Sequence, residues 1–227
     1  MKRAIVLCSG GIDSVVTAFY IKKRLRYSSL TILFFDYGQR AIAGERACAK
    51  ECAKKLKADF KEIKLPGLRT LSFSLINKGG KANEIRKRNL ASTREESRCW
   101  YVPFRNTVFL SYALALAESN FLKKKIGSTI FVGFKCEGND HYPDTTATYV
   151  RHINLLQRAA GGNYRICAPL INKDKEDIIR LGCMLGVDFR KTWSCYVGTK
   201  VPCGKCLACA LRKAGFYWAG LEDPSRC

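Results

Sequence analysis

The sequence has few acidic residues, only two histidines and no long apolar segment. No apolar run approaches the roughly 20 residues that a helix needs to cross a bilayer, which excludes a membrane-spanning chain. The N-terminal string MKRAIVLCSGG begins with basic residues, but its apolar run is too short for a signal peptide and is typical of a first strand. We therefore expect a cytoplasmic protein without a membrane partner.

The shortage of acidic residues leaves a large positive charge. The 227 residues include 40 lysines and arginines against 19 aspartates and glutamates, which gives a net charge of +21. This surplus favours a polyanionic partner, and composition alone does not separate tRNA, an acidic protein and a charged nucleotide from a basic surface that is only solvated. The sequence shows no internal repeat and no low-complexity segment, and its length suits one large domain with a small appendage.

Short apolar runs alternate with segments of helical periodicity. The predicted strands are residues 4–8, 30–37, 60–65, 129–134 and 165–170, and the predicted helices are residues 14–25, 42–56, 107–123, 149–160 and 173–185. Such alternation predicts a doubly wound parallel α/β sheet with helices on both faces. We expect this domain to cover residues 1–190, with a polar, basic excursion at 78–100, and a cysteine-rich segment to cover 191–227.

A phosphate-type loop follows the first predicted strand. The string SGGIDS (residues 9–14) lies at the carboxyl end of that strand, where ligands bind in such sheets. Gly10 and Gly11 allow a tight turn, and Ser9, Ser14 and the free N–H groups of the helix start can donate to an anion. The Walker pattern GxxxxGK[ST] is absent, so this is not an ordinary P-loop. The alternative is a serine–glycine turn that only caps a helix.

Four of the 12 cysteines have the spacing of metal ligands. The string CYVGTKVPCGKCLAC contains Cys195, Cys203, Cys206 and Cys209, and four thiolates complete a tetrahedral shell, which predicts structural zinc. An iron–sulfur cluster, which also uses four thiolates, is the alternative. Cys48 and Cys52 share one helix face and are predicted to be core. The remaining cysteines, which have no ligand spacing, are Cys8, Cys99, Cys136, Cys167, Cys183 and Cys227.

These motifs resemble a known family. SGGxDS is similar to the pyrophosphate loop of the ATP pyrophosphatases, whose fold is adenine nucleotide alpha hydrolase-like. The further strings are FDYGQR (35–40), YVPFRN (101–106), HYPD (141–144), APL followed by KDKEDIIRLG, and WSCY followed by PCGKCLACALRKAGF. In this order they resemble the 7-cyano-7-deazaguanine synthase (QueC) family from residue 1 to about residue 218.

The resemblance implies an ATP-dependent ligase that forms C–N bonds. Its substrates would be ATP, ammonia and 7-carboxy-7-deazaguanine. The carboxylate is adenylated, ammonia displaces AMP to give the amide, and a second adenylation leads to the nitrile used in queuosine or archaeosine synthesis. The implied cofactors are Mg²⁺ and Zn²⁺. Relatives often form homodimers, so we expect a homodimer.

The resemblance also assigns residues. The residues implied to hold ATP and Mg²⁺ are Ser9, Gly10, Gly11, Asp13, Ser14, Tyr37, Gln39 and Arg40. The residues implied to contact the deazaguanine substrate are Arg105, Asn106, Tyr142 and Asp144. Asp13, Arg105 and Asp144 are the implied catalytic residues. A carboxylate such as Asp144 suits the N1–H and amino donors of a guanine-type ring, whereas Asp13 could alternatively be only a helix-start carboxylate and Arg105 a surface residue.

The chain departs from the family pattern at two places. Ala41 stands where the family usually has histidine, and the stretch GNDHYPDT differs at Gly138, Asp140, His141 and Thr145 from the usual D-x-S-G-Y-P-D-C. Two alternatives stay open, the first suggested by these changes and by the basic charge, and the second by the basic charge of +21 alone. One is a QueC-like ligase that transfers the activated acid to an amine on a macromolecule, which could act in antiviral defence. The other is a pyrophosphate-loop enzyme that modifies tRNA directly.

Overall fold

The computed structural model describes residues 2–80, 84, 93–135 and 142–225. Its centre is a sheet of five parallel strands in the order β3-β2-β1-β4-β5. The strands are β1 (Arg3–Leu7), β2 (Ser29–Asp36), β3 (Asp59–Lys64), β4 (Thr129–Phe131) and β5 (Arg165–Cys167). The predicted doubly wound parallel sheet is confirmed, since the chain winds in one direction from β1 to β3 and then in the other through β4 to β5.

Nine helices lie in the described part of the chain. They are α1 (Ile12–Lys23), α2 (Ile42–Leu56), α3 (Pro66–Leu71), α4 (Leu75–Lys78), α5 (Arg94–Trp100), α6 (Arg105–Lys124), α7 (Ala147–Ala159), α8 (Lys175–Met184) and α9 (Leu207–Ala219). Five of these, α1, α2, α6, α7 and α8, match the predicted helices. α5 falls in the predicted excursion, of which residues 81–83 and 85–92 lie outside the described residues.

Both faces of the sheet are buried, which accounts for strands that are apolar on both sides. Along β1, Ala4 and Val6 point into one apolar cluster together with α1, α2, α8 and α9. Ile5 points into a second cluster on the other face, where α6 and α7 pack. Within the described ranges, none of the helices has the length and apolar composition needed to span a membrane.

β4 and β5 end earlier than the sequence pattern predicts. The apolar run 129–134 forms a ladder only to Phe131, and the run 165–170 only to Cys167. Beyond β4, the Cα of Gly133 approaches the start of α1 so closely that a Cβ there would lie 2.9 Å from Ser14 N. Beyond β5, Pro169 has no N–H to donate to a ladder. An apolar pattern indicates burial, and here burial continues after the strand pairing has stopped.

The C-terminal cysteine segment packs into the domain. Cys195, Cys206 and Cys209 belong to the apolar cluster under α6 and α7. The guanidinium of Arg212 on α9 is buried and forms two short bonds to the carboxylate of Asp223, at 2.7 and 2.9 Å. Because this ion pair is bidentate and largely desolvated, breaking one partner would leave an uncompensated buried charge. The segment therefore packs against the domain through its cysteines, and the ion pair joins α9 to the stretch that follows it.

Candidate active site

A cavity of about 290 Å³ opens at the carboxyl ends of β1, β2 and β4. This is the edge of a doubly wound sheet where ligands bind, because the chain leaves β1 and β4 toward opposite sides. The SGGIDS loop forms one wall. The residues after β2 form the floor, and the first turn of α6 forms the far wall. The cysteine segment contributes Trp193 and Tyr196 to the lining.

The glycine loop is held against α2. Gly10 has a φ of +81°, a conformation that favours glycine. A Cβ at this position would lie 2.5 Å from the carbonyl oxygen of Glu45 and 2.9 Å from the Cβ of Cys48. Both the backbone conformation and the space therefore require glycine here. The close approach leaves the start of α1 open toward the cavity.

The glycine loop offers two serine hydroxyls and the N–H groups at the start of α1 as hydrogen-bond donors. The Ser14 hydroxyl donates to the Gly11 carbonyl at 3.0 Å and lies 3.4 Å from the Ser9 hydroxyl. Gly11 is the N-cap of α1 and has no side chain that could cap the first-turn N–H groups. Uncapped N–H groups and the positive end of the helix dipole form an anion site when a ligand supplies the acceptor. This arrangement is suited to an anion, and the phosphate cradle at the loop stays a prediction.

Asp13 is paired with a lysine that the sequence analysis did not select. The Nζ of Lys175, in the first turn of α8, lies 2.7 Å from both carboxylate oxygens of Asp13. Both side chains are partly accessible and both line the cavity. Lys175 lies within the KDKEDIIRLG string, but nothing in its spacing indicated a partner 162 residues away. The pair places one positive and one negative group beside the glycine loop.

Tyr37 on the cavity floor is in contact with Arg105 on the far wall. Arg105 Nη1 donates to the Tyr37 hydroxyl at 3.1 Å, and its guanidinium lies 5.6 Å from the centre of the Tyr37 ring. Burial raises the pKa of Tyr37 to about 12 in spite of the nearby guanidinium, so the phenol is neutral at physiological pH. Burial acts to lower the pKa of Arg105, but the oxygens around it outweigh burial and raise that pKa, so the guanidinium is permanently charged.

Gln39 and Arg40 occupy different environments. Gln39 is buried, and its amide accepts from Tyr37 N at 2.9 Å and donates to the Phe35 carbonyl at 2.9 Å and to Glu45 Oε2 at 3.0 Å. Burial raises the pKa of Glu45 above its usual value. Arg40 donates to the Gly80 carbonyl at 3.0 Å, and among the described residues it does not line the cavity. Gln39 thus braces the floor through bonds within the protein, and Glu45 is a cavity residue that sequence reasoning missed.

A buried carboxylate lies behind the wall formed by α6. Asp144 is 5% exposed, and its Oδ2 accepts from the backbone N–H of Asn106 at 3.2 Å. Its Oδ1 is buried without a hydrogen-bond partner in the part of the chain that the structure describes. Such an atom is costly unless a ligand supplies a donor. The neighbouring residues Tyr142 and Thr145 line the cavity.

The residue before α6 sets the direction in which the helix starts and so orients the side chains of this wall. Phe104 is the N-cap of α6 and has a φ of +53°, which is uncommon for a residue other than glycine. The turn places Arg105 and Asn106 in the first helical turn, where both line the cavity. Tyr142 is held by its hydroxyl, which donates to the Ser97 carbonyl at 3.2 Å, and by a stack on the Tyr101 ring at 5.5 Å.

The positions where the chain departs from the pattern of the family it resembles are only partly described. Gly138, Asp140 and His141 lie outside the described residues, as do Cys136 and Cys227. Thr145 donates to the Tyr142 carbonyl at 2.9 Å. Ala41 is buried at the cavity floor, where its backbone packs against Gly198 of the cysteine segment so tightly that a Cβ on Gly198 would overlap Arg40.

The four predicted metal ligands come together. The Sγ atoms of Cys195, Cys203, Cys206 and Cys209 all lie within 4.8 Å of one another. The backbone N–H of Cys203 donates to Cys195 Sγ at 3.3 Å, and that of Cys206 donates to Cys203 Sγ at 3.4 Å. Hydrogen bonds of this kind favour the thiolate form. The cluster can hold a metal ion.

Trp193 connects this cluster to the glycine loop. Its backbone N–H donates to the Gly10 carbonyl at 2.9 Å, and its indole N–H donates to the Cys195 carbonyl at 2.8 Å. The ring covers Gly44 so closely that a Cβ there would overlap it. The metal-ligand segment and the loop are therefore mechanically linked through one residue.

The order of these motifs along the chain matches one family. Residues 3–220 match the family model described as queuosine biosynthesis protein QueC. The chain belongs to the QueC family. A protein of Thermoplasma acidophilum named 7-cyano-7-deazaguanine synthase is 40% identical, over 98% of this chain and 91% of its own length. Proteins of the same name from Methanoculleus marisnigri and Nitratiruptor are each 36% identical, over 99% and 97% of this chain and 98% and 96% of their own.

Likeness to solved structures is more distant. NMN synthetase from Francisella tularensis aligns with 97% of this chain and 78% of its own at 16% identity, with a TM-score of 0.45. This likeness is too weak to bear on function. The QueC assignment therefore depends on sequence, and the geometry of the cavity shows which residues of this QueC protein lie together.

Proposed function

We propose that this protein is a 7-cyano-7-deazaguanine synthase, which converts 7-carboxy-7-deazaguanine, ATP and ammonia to the nitrile. The observation that carries the proposal is that the glycine loop and the residues around the start of α6 lie at one cavity in a chain of the QueC family. The SGGIDS loop forms one wall, and Arg105, Asn106 and Tyr142 of the YVPFRN and YPD strings line the other. Asp144 lies directly behind that wall and accepts from the backbone N–H of Asn106. The relatives that bear this name extend over nearly the full chain.

The reaction needs two activations of the same carbon. A carboxylate oxygen attacks the α-phosphorus of ATP, the bond to pyrophosphate breaks, and an acyl adenylate forms. Ammonia then attacks the carbonyl carbon, AMP leaves with the carboxylate oxygen, and the nitrogen loses a proton to give the amide. The amide oxygen attacks a second ATP, and loss of AMP and of the two remaining N–H protons leaves the nitrile. The protein must orient the carboxylate for in-line attack.

The glycine-loop side of the cavity holds ATP. The N–H groups at the start of α1 and the hydroxyls of Ser9 and Ser14 donate to phosphate oxygens. Asp13 would hold Mg²⁺, which prefers carboxylate and phosphate oxygens and neutralises charge that develops on the pyrophosphate. Lys175, whose Nζ lies 2.7 Å from Asp13, is placed to donate to the phosphates beside that carboxylate. The residues fit a magnesium–nucleotide complex because charge of both signs is available beside the loop.

The far wall holds the deazaguanine acid. Asp144 accepts from the N1–H and amino group of the ring, which gives a partner to its buried Oδ1. Arg105 donates to the Tyr37 hydroxyl and interacts electrostatically with Asp144, and its fixed charge attracts the substrate carboxylate and the adenylate phosphate. Tyr142 contributes an aromatic surface, already stacked on Tyr101, for the ring.

The cysteine cluster holds structural zinc. A tetrahedral zinc ion with Zn–S bonds of about 2.3 Å separates its sulfur ligands by about 3.8 Å, which the four thiols satisfy with small adjustments. All four positions are then taken by protein, so the zinc supplies no open site for substrate. Its contribution is to fix Trp193 and, through it, the Gly10 carbonyl.

The two alternatives gain no support from the described residues. A conjugating ligase or a tRNA-modifying enzyme would need a macromolecule at the cavity mouth, and no feature of the described lining requires one. The homodimer and the cytoplasmic location stay predictions.

Product analysis tests the proposal. The purified protein is incubated with ATP, Mg²⁺ and 7-carboxy-7-deazaguanine, with and without ammonium, and the products are identified by mass spectrometry. We expect the nitrile, AMP and pyrophosphate with ammonium, and no nitrile without it. An amide that never becomes a nitrile would favour the conjugating ligase, and an absence of AMP in both incubations would contradict every adenylating function.

A further inference from the structure

The positive charge of the protein is concentrated at the edge of the sheet that faces away from the cavity. Five segments precede or contain the starts of the strands: residues 2–3, 22–26, 54–59, 118–125 and 158–165. Together they contain 14 lysines and arginines and two acidic residues, Asp59 and Glu118. More than half of the net charge of +21 therefore belongs to these segments. We call their surface the amino edge.

Strand register brings the five segments together. Arg3 pairs with Ser29, Thr31 with Asp59, Ala4 with Thr129, and Thr129 with Arg165. Because all five strands are parallel, their starts lie along one line, and the cavity lies at their other ends. Strands about 4.8 Å apart place the outer two roughly 19 Å from each other. The basic segments follow this line and form a band of about that width.

These basic side chains face solvent without opposite charges. Twelve of the fourteen are exposed, and Arg3 and Lys22 are half-buried. Within the described ranges, none of the fourteen forms an ion pair. Lys22 and Lys23 donate to backbone carbonyls, of Ser28 and Leu185 respectively. The charges of the amino edge are thus largely available to a partner.

Helix dipoles account for only a small part of this charge. Lysines and arginines occupy the last turns of α1, α2, α6 and α7, where cations stabilise the helix end. Each helix end carries about half a negative charge, so four ends balance about two positive charges. The excess of the amino edge is several times larger. Mutual repulsion of so many charges lowers stability, and a ligand of opposite charge would relieve that repulsion.

We propose that the amino edge binds the phosphate backbone of a nucleic acid. A band of lysines and arginines with only two acids among them, Asp59 and Glu118, neutralises successive phosphates, and the released counterions supply the free energy of binding. A protein partner fits less well, because the centres of protein interfaces are depleted of lysine. The band lies at the opposite end of the strands from the cavity, so binding there leaves the proposed reaction unobstructed. The proposal does not depend on which reaction the cavity catalyses.

Fluorescence anisotropy with a labelled 20-nucleotide single-stranded RNA tests this proposal at 50 and 200 mM KCl. The test variant combines Arg24→Gln, Lys54→Gln, Lys123→Gln, Lys124→Gln and Arg165→Gln. The matched control combines Lys61→Gln, Lys64→Gln, Arg98→Gln, Lys191→Gln and Lys200→Gln, which are exposed residues outside the amino edge. Both variants lower the net charge by the same amount, and a thermal melt checks that each is folded.

We expect the parent protein to bind the RNA and to lose at least about tenfold in affinity between the two salt concentrations. The amino-edge variant loses at least about tenfold at 50 mM KCl, and its salt slope falls by about 0.7 for each phosphate contact removed. The control loses less than about threefold. A single-stranded DNA of equal length binds by the same phosphate chemistry. The proposal would be overturned if the parent protein did not bind the RNA, or if both variants lost affinity for it equally. It would also be overturned if polyglutamate of equal charge displaced the RNA.

Discussion

Asp144→Asn is expected to lower kcat/KM for 7-carboxy-7-deazaguanine by about 10²- to 10³-fold. Asp144 is buried, and its Oδ1 lacks a partner in the described structure. The proposed substrate ring presents two donors, and asparagine would oppose one of them with its own NH₂ group. Losing a charge-assisted pair and leaving buried donors unmatched costs about 3–4 kcal/mol, which corresponds to this loss of rate.

The readout separates recognition of the acid from nucleotide binding. In Asp144→Asn, KM for ATP should stay within about threefold of the parent value, because the carboxylate lies behind the wall formed by α6 and not beside the glycine loop. Asp177→Asn, an exposed carboxylate paired with Arg180, is the matched control. If kcat/KM for the acid changes by less than threefold in Asp144→Asn, the assignment of this wall to the deazaguanine ring is wrong.

Cys206→Ser is expected to remove the bound metal and to lower Tm by about 10 °C or more. Cys206 is buried at the N-cap of α9, and its sulfur lies within 4.8 Å of the other three. Structural zinc contributes about 10 kcal/mol or more to folding in small zinc domains, of which this larger domain retains part through its own core. A loss of about 4 kcal/mol lowers Tm by roughly 10 °C in a domain of this size.

Metal content and thermal unfolding check this result together. Elemental analysis should find about one zinc per chain in the parent protein and less than about 0.2 in Cys206→Ser. Cys183→Ser, an exposed cysteine outside the cluster, should retain both zinc and Tm. Iron in place of zinc in the parent would favour the iron–sulfur alternative, and full metal content in Cys206→Ser would contradict the four-thiolate assignment.

Much of the fold could be predicted from periodicity, because the central strands are buried on both faces and the helices α1, α2, α7 and α8 each come next after a strand. The SGGIDS loop could be placed because a string of glycines and serines directly behind a buried first strand is typical of a phosphate site. The cysteine spacing predicted the ligand cluster for a similar reason, since metal ligands must be close both along the chain and in space. These features share one property, which is that their signal is local in sequence.

The site residues that the sequence analysis did not select depend mostly on contacts between distant parts of the chain. Lys175 meets Asp13 across 162 residues, and Trp193 meets Gly10 across most of the chain. Glu45 lies in a helix whose buried face includes cysteines and alanines, and nothing in that sequence pattern marked this glutamate as a cavity residue. Of the FDYGQR string, Gln39 turns inward and Arg40 turns toward Gly80, and no local pattern separates these two directions.

The central claim is that the cavity adenylates the acid and then the amide, and labelling the oxygen atoms of the acid tests it most directly. 7-Carboxy-7-deazaguanine with ¹⁸O at both carboxylate positions is converted with unlabelled ATP and ammonium, and AMP and pyrophosphate are analysed by mass spectrometry. If the cavity adenylates first the acid and then the amide, two AMP form for each nitrile, each phosphate group carries one ¹⁸O, and pyrophosphate carries none. Nitrile formed with unlabelled AMP would contradict adenylation of the substrate oxygens, and with it this account of the glycine loop.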